Sequence, residues 1–256
     1  MITTIMYCNT ISKNETAIET LLKREVEQGN TPSVQYFLFD KDSVIYKFQI
    51  GYADIKNRKL VDESTTYNAY SVTKTFTALA IQQLAEKNLI DIDEPVKAYL
   101  PELPYSEHIT IRQLLSHSSG IPNPIPLNWI HLTSEHKSFN SNDFFEEIIR
   151  RNSKVKLKPN EKFAYSNIGY VLLGQLIEKI SGLSYEEYIN IMIIKKINLE
   201  PHELGFIITN QDGHAKGYQK ILSLTNIMLG LFVDKSKYMT KAEGNWKRLW
   251  RFDWNS

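Results

Sequence analysis

The feature that most constrains this chain is a change of hydrophobic period near residue 70. Before it, Ser33 to Phe39 and Ser43 to Ile50 are rich in β-branched and aromatic residues, with Asp40-Lys41-Asp42 between them, which predicts a β-hairpin. From Ser71 onward, Val72, Phe76, Leu79, Ala80 and Leu84 fall at helical spacing and predict a helix from about Ser71 to Lys87. Further helices are expected over Ile111 to Ser116 behind Thr110 as cap, Asn142 to Arg151, Ile168 to Ile180, and Ser184 to about Ile194. Ser12-Lys-Asn-Glu15 has capping-box form and predicts a first helix reaching about Gln28. Strands thus gather near the N-terminus and helices fill the middle. The expected fold is α/β (α+β): a small antiparallel sheet with flanking helices, joined to a helical lobe, with Ser71 where the two meet.

Composition narrows the function. At 256 residues and 42% hydrophobic, the chain can bury a large core as one lobed domain. Thirty basic against 29 acidic residues leave a net charge of +1, so no bulk field draws nucleic acid. Cys8 is the only cysteine, which excludes a disulfide framework and a thiolate metal site. The six histidines show no His-Glu-x-x-His spacing, and His117 reads as a helix-end residue. No metal and no cofactor are expected. Gly-x-Ser-x-Gly, a phosphate loop and a dinucleotide fingerprint do not occur. The first eight residues lack the charge and cleavage pattern of a signal peptide, and Ile221 to Val233 is too short to span a bilayer. The expectation is a cytoplasmic protein with no integral membrane segment; its oligomeric state is left open.

Three Ser-x-x-Lys strings occur: Ser71 to Lys74, Ser134 to Lys137 and Ser153 to Lys156. Context separates them. Ser134 and Ser153 lie in polar loops or at a helix end, whereas Ser71 opens a long apolar helix. Residues i and i+3 share a helix face, so the Lys74 amine can reach the Ser71 hydroxyl. A hydroxyl is a weak nucleophile until a nearby base takes its proton. Burial and a helix N-terminus can fit a lysine for that task. The Ser71 N–H, at the helix start, can point at a developing oxyanion.

The neighbourhood carries a resemblance. Tyr67-Asn-Ala-Tyr-Ser-Val-Thr-Lys-Thr-Phe-Thr-Ala-Leu-Ala80, Leu89-Ile-Asp-Ile-Asp-Glu-Pro95, Tyr99-Leu-Pro-Glu102 and Ile109-Thr-Ile-Arg-Gln-Leu-Leu-Ser-His-Ser-Ser-Gly120 follow one another along the chain. Together with Lys158-Pro-Asn-Glu-Lys-Phe-Ala-Tyr-Ser-Asn-Ile-Gly169 they resemble the β-lactamase-related serine hydrolases. That group includes class C β-lactamases, D-alanyl-D-alanine carboxypeptidases, penicillin-binding proteins and related esterases. The resemblance implies a β-lactamase/transpeptidase-like fold and acyl-enzyme chemistry on an amide or ester, with a small-molecule or peptide substrate. Of three Tyr-x-Asn strings, Tyr7 to Asn9 sits in the chain's start and Tyr188 to Asn190 on a helix packing face. Tyr165 to Asn167 stands after a Lys-Pro-Asn-Glu loop, where the family has its own. By resemblance, Tyr165 shuttles the proton with Ser71 and Lys74, and Asn167 binds a substrate amide or carbonyl and holds Lys74. Which group is the base is disputed in this superfamily, so Lys74 and Tyr165 stand as a coupled pair. Asn123, with Trp129, is expected to wall the pocket from family position.

The chain also departs from the family. The third element, Lys or His followed by Thr or Ser and Gly, is absent; His117-Ser-Ser-Gly120 and His214-Ala-Lys-Gly217 do not replace it. The expectation is a truncated relative with an incomplete sheet and an unpaired edge. The division expected within residues 1–256 is a sheet region over about 12–65, a helical lobe over about 66–233 and an atypical tail over 234–256. Trp246, Trp250 and Trp254 recur every four residues among basic ones, which admits a basic amphipathic helix. Gly244-Asn245 and the short run favour instead a piece of a buried segment. The functional readings are a metal-independent serine hydrolase, an inactive or binding-only relative, and one part of a split protein.

Overall fold

The computed structural model describes residues 17–124, 139–155, 157–220, 239–241 and 249–252. It divides into two compact units, Met1–Asn68 with Asn210–Ser256, and Ala69–Thr209.

In the first unit a helix, α1, covers residues 17–27; the Ser12–Glu15 capping string lies outside the described residues. Strands β1 (Ser33–Phe39), β2 (Val44–Asp54) and β3 (Lys59–Leu60) form an antiparallel sheet in the order β1-β2-β3. The hairpin turn is closed by Asp40, whose Oδ1 accepts from the N–H groups of Asp42 and Ser43 at 2.8 Å each. Those two bonds hold the Asp40 carboxyl below its usual range. Ser33 lies opposite Gly51, and at Gly51 a Cβ would stand 2.1 Å from the Pro32 carbonyl oxygen, with φ at +95°. Only glycine lets the strand pass there.

The chain returns to this sheet at residues 210–220. Thr66 and His214 form a parallel bridge, Lys216 N–H donates to Ala53 O at 2.8 Å, and Ile55 N–H donates to the Tyr218 hydroxyl at 2.9 Å. Strands β4 (Tyr218–Lys220), β5 (Met239–Lys241) and β6 (Leu249–Phe252) form a second antiparallel sheet in the order β4-β6-β5. At Trp250 this excludes the amphipathic helix that the tryptophan spacing admits and that Gly244-Asn245 already disfavours. Trp250 lies in β6, opposite Gln219 and Lys241. Leu-Trp-Arg-Phe is a run of strand formers, and ladder partners on both sides decide in favour of a strand. Trp246, Trp254 and Ile221 to Val233 lie outside the described residues.

The second unit is helical, and its side-chain caps mark where helices start. A 3-10 turn at Tyr70–Val72 leads into α2 (Thr73–Glu86). A Thr110/Gln113 capping box opens α3 (Ile111–Leu115), and Asn140 caps α4 (Ser141–Arg151). Ser166 caps α5 (Asn167–Ser181), which ends at Gly182 in the left-handed conformation. A Ser184/Glu187 capping box opens α6 (Tyr185–Ile189). The single helix expected to about Ile194 in fact changes to a π turn at Asn190–Ile194 and a 3-10 turn at Lys195–Ile197.

The core of this unit is built on α5. Ile168, Leu172, Leu173, Leu176 and Ile177 are fully buried against Ala80, Ile81 and Leu84 of α2, Ile111 and Leu114 of α3, and Ile189 of α6. Each such side chain contributes roughly 1.5–3 kcal/mol through burial. The Thr77 and Tyr185 hydroxyls meet at 2.7 Å and tie α2 to α6. No helix among the described residues is long and apolar enough to cross a membrane.

Candidate active site

The helical unit brings three of the expected site residues together. Ser71 lies in the 3-10 turn that precedes α2. Lys74, the second residue of α2, follows three positions on and so shares a face with Ser71. Lys74 Nζ donates to Ser71 Oγ at 3.3 Å, and the Tyr165 hydroxyl lies 2.9 Å from the same oxygen. The Lys74 ammonium also sits 5.1 Å above the ring of Tyr165 and 5.5 Å above that of Tyr170, within cation–π range. No carboxylate pairs with Lys74 among the described residues. Its charge is therefore directed at the phenols and at Ser71. Burial pushes the Tyr165 phenol up, but the neighbouring Lys74 and Ser71 outweigh it, so the net direction is down from its usual value.

One feature of this turn was not visible in the sequence. Tyr70, just before Ser71, has φ +42°, a left-handed conformation unusual for an aromatic residue. Such backbone strain is often held at functional sites.

The segment carrying Tyr165 is fixed by a row of side-chain acceptors. His117 Nδ1 accepts from Ser166 N–H at 3.2 Å, Asn123 Oδ1 from Asn167 N–H at 3.0 Å, and Ser166 Oγ from Gly169 N–H at 3.1 Å. The Ser166 hydroxyl itself donates to Pro122 O at 3.2 Å. These bonds occupy three of the backbone donors at the start of α5 and set the direction of the residues on either side of Ser166. Asn123 is thus brought to the site, but its oxygen is committed to backbone. Asn167 faces the same cavity as Lys74; among the described residues no hydrogen bond joins its amide to Lys74. Trp129 lies outside the described residues.

The rival strings are elsewhere. Ser134 and Lys137 lie outside the described residues, as does Lys156. Ser153 follows the end of α4. Tyr188 is buried in the core, and Tyr7 to Asn9 lies outside the described residues.

A cavity of about 780 Å³ opens beside Lys74, between α2, α4, α5 and α6. Lys74, Asn167 and Tyr170 line its end nearest the Ser71 cluster, and Asn142, Gln175 and Glu178 are among its polar walls. Among the described residues, no three His, Cys, Asp or Glu side chains gather as a metal would require.

Residues 18–221 match the family model described as beta-lactamase. The chain belongs to the β-lactamase family. It is 32% identical to penicillin-binding protein 4* of Bacillus subtilis (strain 168) over 182 residues, which are 70% of this chain and 38% of that protein. The chain spans between 36% and 41% of the length of the first curated relatives it matches. Among solved structures, the octameric penicillin-binding protein homologue from Pyrococcus abyssi superposes with a TM-score of 0.66 at 28% identity, covering 80% of this chain and 48% of that one. The D-amino acid amidase from Ochrobactrum anthropi SV3, complexed with L-phenylalanine, gives 0.64 at 26% identity, covering 80% of this chain and 56% of that one. The β-lactamase-family match spans α2, α3 and α5, so it includes Ser71, Lys74 and Tyr165.

Proposed function

We propose that the chain is a serine hydrolase that transfers an acyl group through Ser71 from an amide or ester substrate. The observation that carries this reading is the position of Ser71 Oγ, within reach of both Lys74 Nζ and the Tyr165 hydroxyl. With Lys74 as the ammonium and Tyr165 as the phenolate it favours, the phenolate oxygen can take the hydroxyl proton as the Ser71 oxygen attacks. In the first step the Ser71 Oγ–carbon bond forms and the proton passes to the Lys74–Tyr165 pair. The tetrahedral adduct then expels the amine or alcohol, which receives that proton as its bond to carbon breaks. Water attacks the acyl-Ser71 ester by the reverse route and releases the acid. The lowered phenol of Tyr165 suits it to hold and return a proton in this relay.

The cavity beside Lys74 has the volume of a small-molecule site, with mostly apolar walls and a few polar groups, Asn142, Asn167 and Gln175, to orient a substrate. The family relationship keeps β-lactams, D-alanyl peptides and simple esters as the substrate classes. The test is covalent labelling with a fluorophosphonate and with a fluorescent penicillin, read by intact mass. The expected result is one adduct per chain, lost in Ser71→Ala. Absence of any adduct on folded protein overturns the reading.

A further inference from the structure

The loop that delivers Tyr165 is clamped by His117. His117 follows Ser116, the C-cap of α3, and has φ +54°. His117 N–H donates to Leu114 O at 3.2 Å, and Ser118 N–H to Gln113 O at 2.9 Å, so the chain turns back sharply there. A left-handed backbone costs a residue with a Cβ about 1–2 kcal/mol, though His, Asn and Asp adopt it more readily than most. The turn aims the imidazole at the Tyr165 segment.

Two bonds then join His117 to alternate residues of that segment. Its carbonyl accepts from Ala164 N–H at 2.7 Å, and its Nδ1 accepts from Ser166 N–H at 3.2 Å. Tyr165 lies between them. Its ring packs on the imidazole with centroids 4.4 Å apart, and Tyr170 covers it at 4.9 Å. Phe163 meets the imidazole edge-on at 5.7 Å. Next door, Ser118 O accepts from Asn160 N–H at 2.8 Å and anchors the start of the same loop.

We propose that His117 is a positioning residue that holds the Tyr165 hydroxyl on Ser71, and that it does so only as the neutral imidazole with its proton on Nε2. The inference rests on the reading of Ser71, Lys74 and Tyr165 as the reacting group. A backbone N–H can only donate, so the Ser166 contact requires a lone pair on Nδ1. Protonation sets N–H against N–H, breaks the clamp and adds a second cation near Lys74. The titratable or charged groups facing the ring are Lys74, Tyr165 and Tyr170, and no carboxylate among the described residues pairs with it. Burial, then the Lys74 charge, hold the imidazole below its usual range, which keeps it neutral at pH 7.

Two substitutions separate the clamp from simple packing. His117→Asn places Oδ1 near the position of Nδ1, keeps an acceptor that does not titrate, and tolerates the left-handed backbone. His117→Leu keeps bulk and removes the acceptor. The first readouts need no turnover. In the full chain at pH 7.5, long-range 1H–15N spectra should show His117 protonated on Nε2 alone; a proton on Nδ1 overturns the proposal. The 13Cζ titration of Tyr165 should stay within about 0.3 pH unit of wild type in His117→Asn and rise by about one unit in His117→Leu. Equal shifts in the two variants overturn the proposal.

Labelling kinetics supply a second arm. The rate of Ser71 labelling should fall about a hundredfold in His117→Leu and stay within about threefold in His117→Asn. On the acid side, log rate should fall with a slope of about two in wild type and about one in His117→Asn, because one of two proton uptakes has been removed. A slope that His117→Asn leaves unchanged overturns the proposal, and this comparison stands even where the leucine variant does not fold. A wild-type Ser71 that takes no label refutes the proposed function instead, and the NMR readouts still decide the role of His117.

Discussion

Replacing Ser166 by alanine tests how the chain holds its candidate site, because one hydroxyl does two jobs there. Ser166 is 1% exposed. Its oxygen accepts from Gly169 N–H at 3.1 Å as the N-cap of α5 and donates to Pro122 O at 3.2 Å. Loss of an N-cap costs about 1 kcal/mol. The Pro122 carbonyl, half-buried, then loses its donor, which adds about 0.5–1.5 kcal/mol. The sum is about 1.5–2.5 kcal/mol, or roughly 3–10 °C in melting temperature for a protein of this size. The assay is chemical denaturation of wild type, Ser166→Ala and Ser166→Thr, followed by tyrosine fluorescence and far-UV circular dichroism. Threonine keeps the hydroxyl, and φ −137° with ψ 118° at this site is extended backbone that suits a β-branched residue. Threonine should therefore recover more than half of the loss. A change below about 1 kcal/mol in Ser166→Ala, or a threonine no better than alanine, would refute the argument from the cap and the carbonyl.

Other substitutions follow from local geometry. Gly120 has φ +77°, and a Cβ would stand 2.2 Å from the Leu157 carbonyl oxygen. Gly120→Ala should cost at least about 3 kcal/mol in a denaturant titration, and a near-neutral result would show that this loop can move. Gly174 lies within α5, where a Cβ would meet only Tyr185 Cδ2 at 3.7 Å. Gly174→Ala should stabilise by about 0.5–1 kcal/mol through backbone entropy, checked by a rise in the denaturation midpoint. Tyr105 is 4% exposed, burial pushes its phenol up to about 12, and its hydroxyl finds no partner among the described residues. Tyr105→Phe should raise stability by about 1 kcal/mol; a loss of that size would mean the hydroxyl is bonded after all.

What the sequence reveals, and what it hides, follows the range of each interaction. The helices are legible because their signals are local. Thr110 with Gln113 and Ser184 with Glu187 are capping boxes within four residues, and the apolar spacing of Ile168, Leu172, Leu176 and Ile177 is a stripe one helix face wide. The N-terminal hairpin is legible for the same reason, since Asp40 closes its turn over three residues. Strands β4 to β6 are not. Each has only three or four residues, too few for a period, and their pairing joins Tyr218–Lys220 to Leu249–Phe252 across a long stretch of chain. The four-residue spacing of the tryptophans admits a helix but carries no information about ladder partners.

The site divides in the same way. Ser71 and Lys74 are three apart, so their meeting is a property of a single helical turn. Tyr165 could be joined to them only through resemblance, and here its hydroxyl lies 2.9 Å from Ser71 Oγ. His117 gave no signal beyond its place after a helix, because its contact with Ser166 depends on a left-handed turn and on the return of a distant loop. Tyr70 is the least legible of all. The residue is 70% exposed, so its own packing does little to offset a left-handed backbone that costs about 1–2 kcal/mol. The offset must come from its neighbours, the helix that starts at Thr73 and the hydrogen bonds that Ser71 makes to Lys74 and Tyr165. Strain placed immediately before Ser71 and held by the same contacts that surround its hydroxyl singles out this serine in a way the Ser-x-x-Lys string, present three times, cannot.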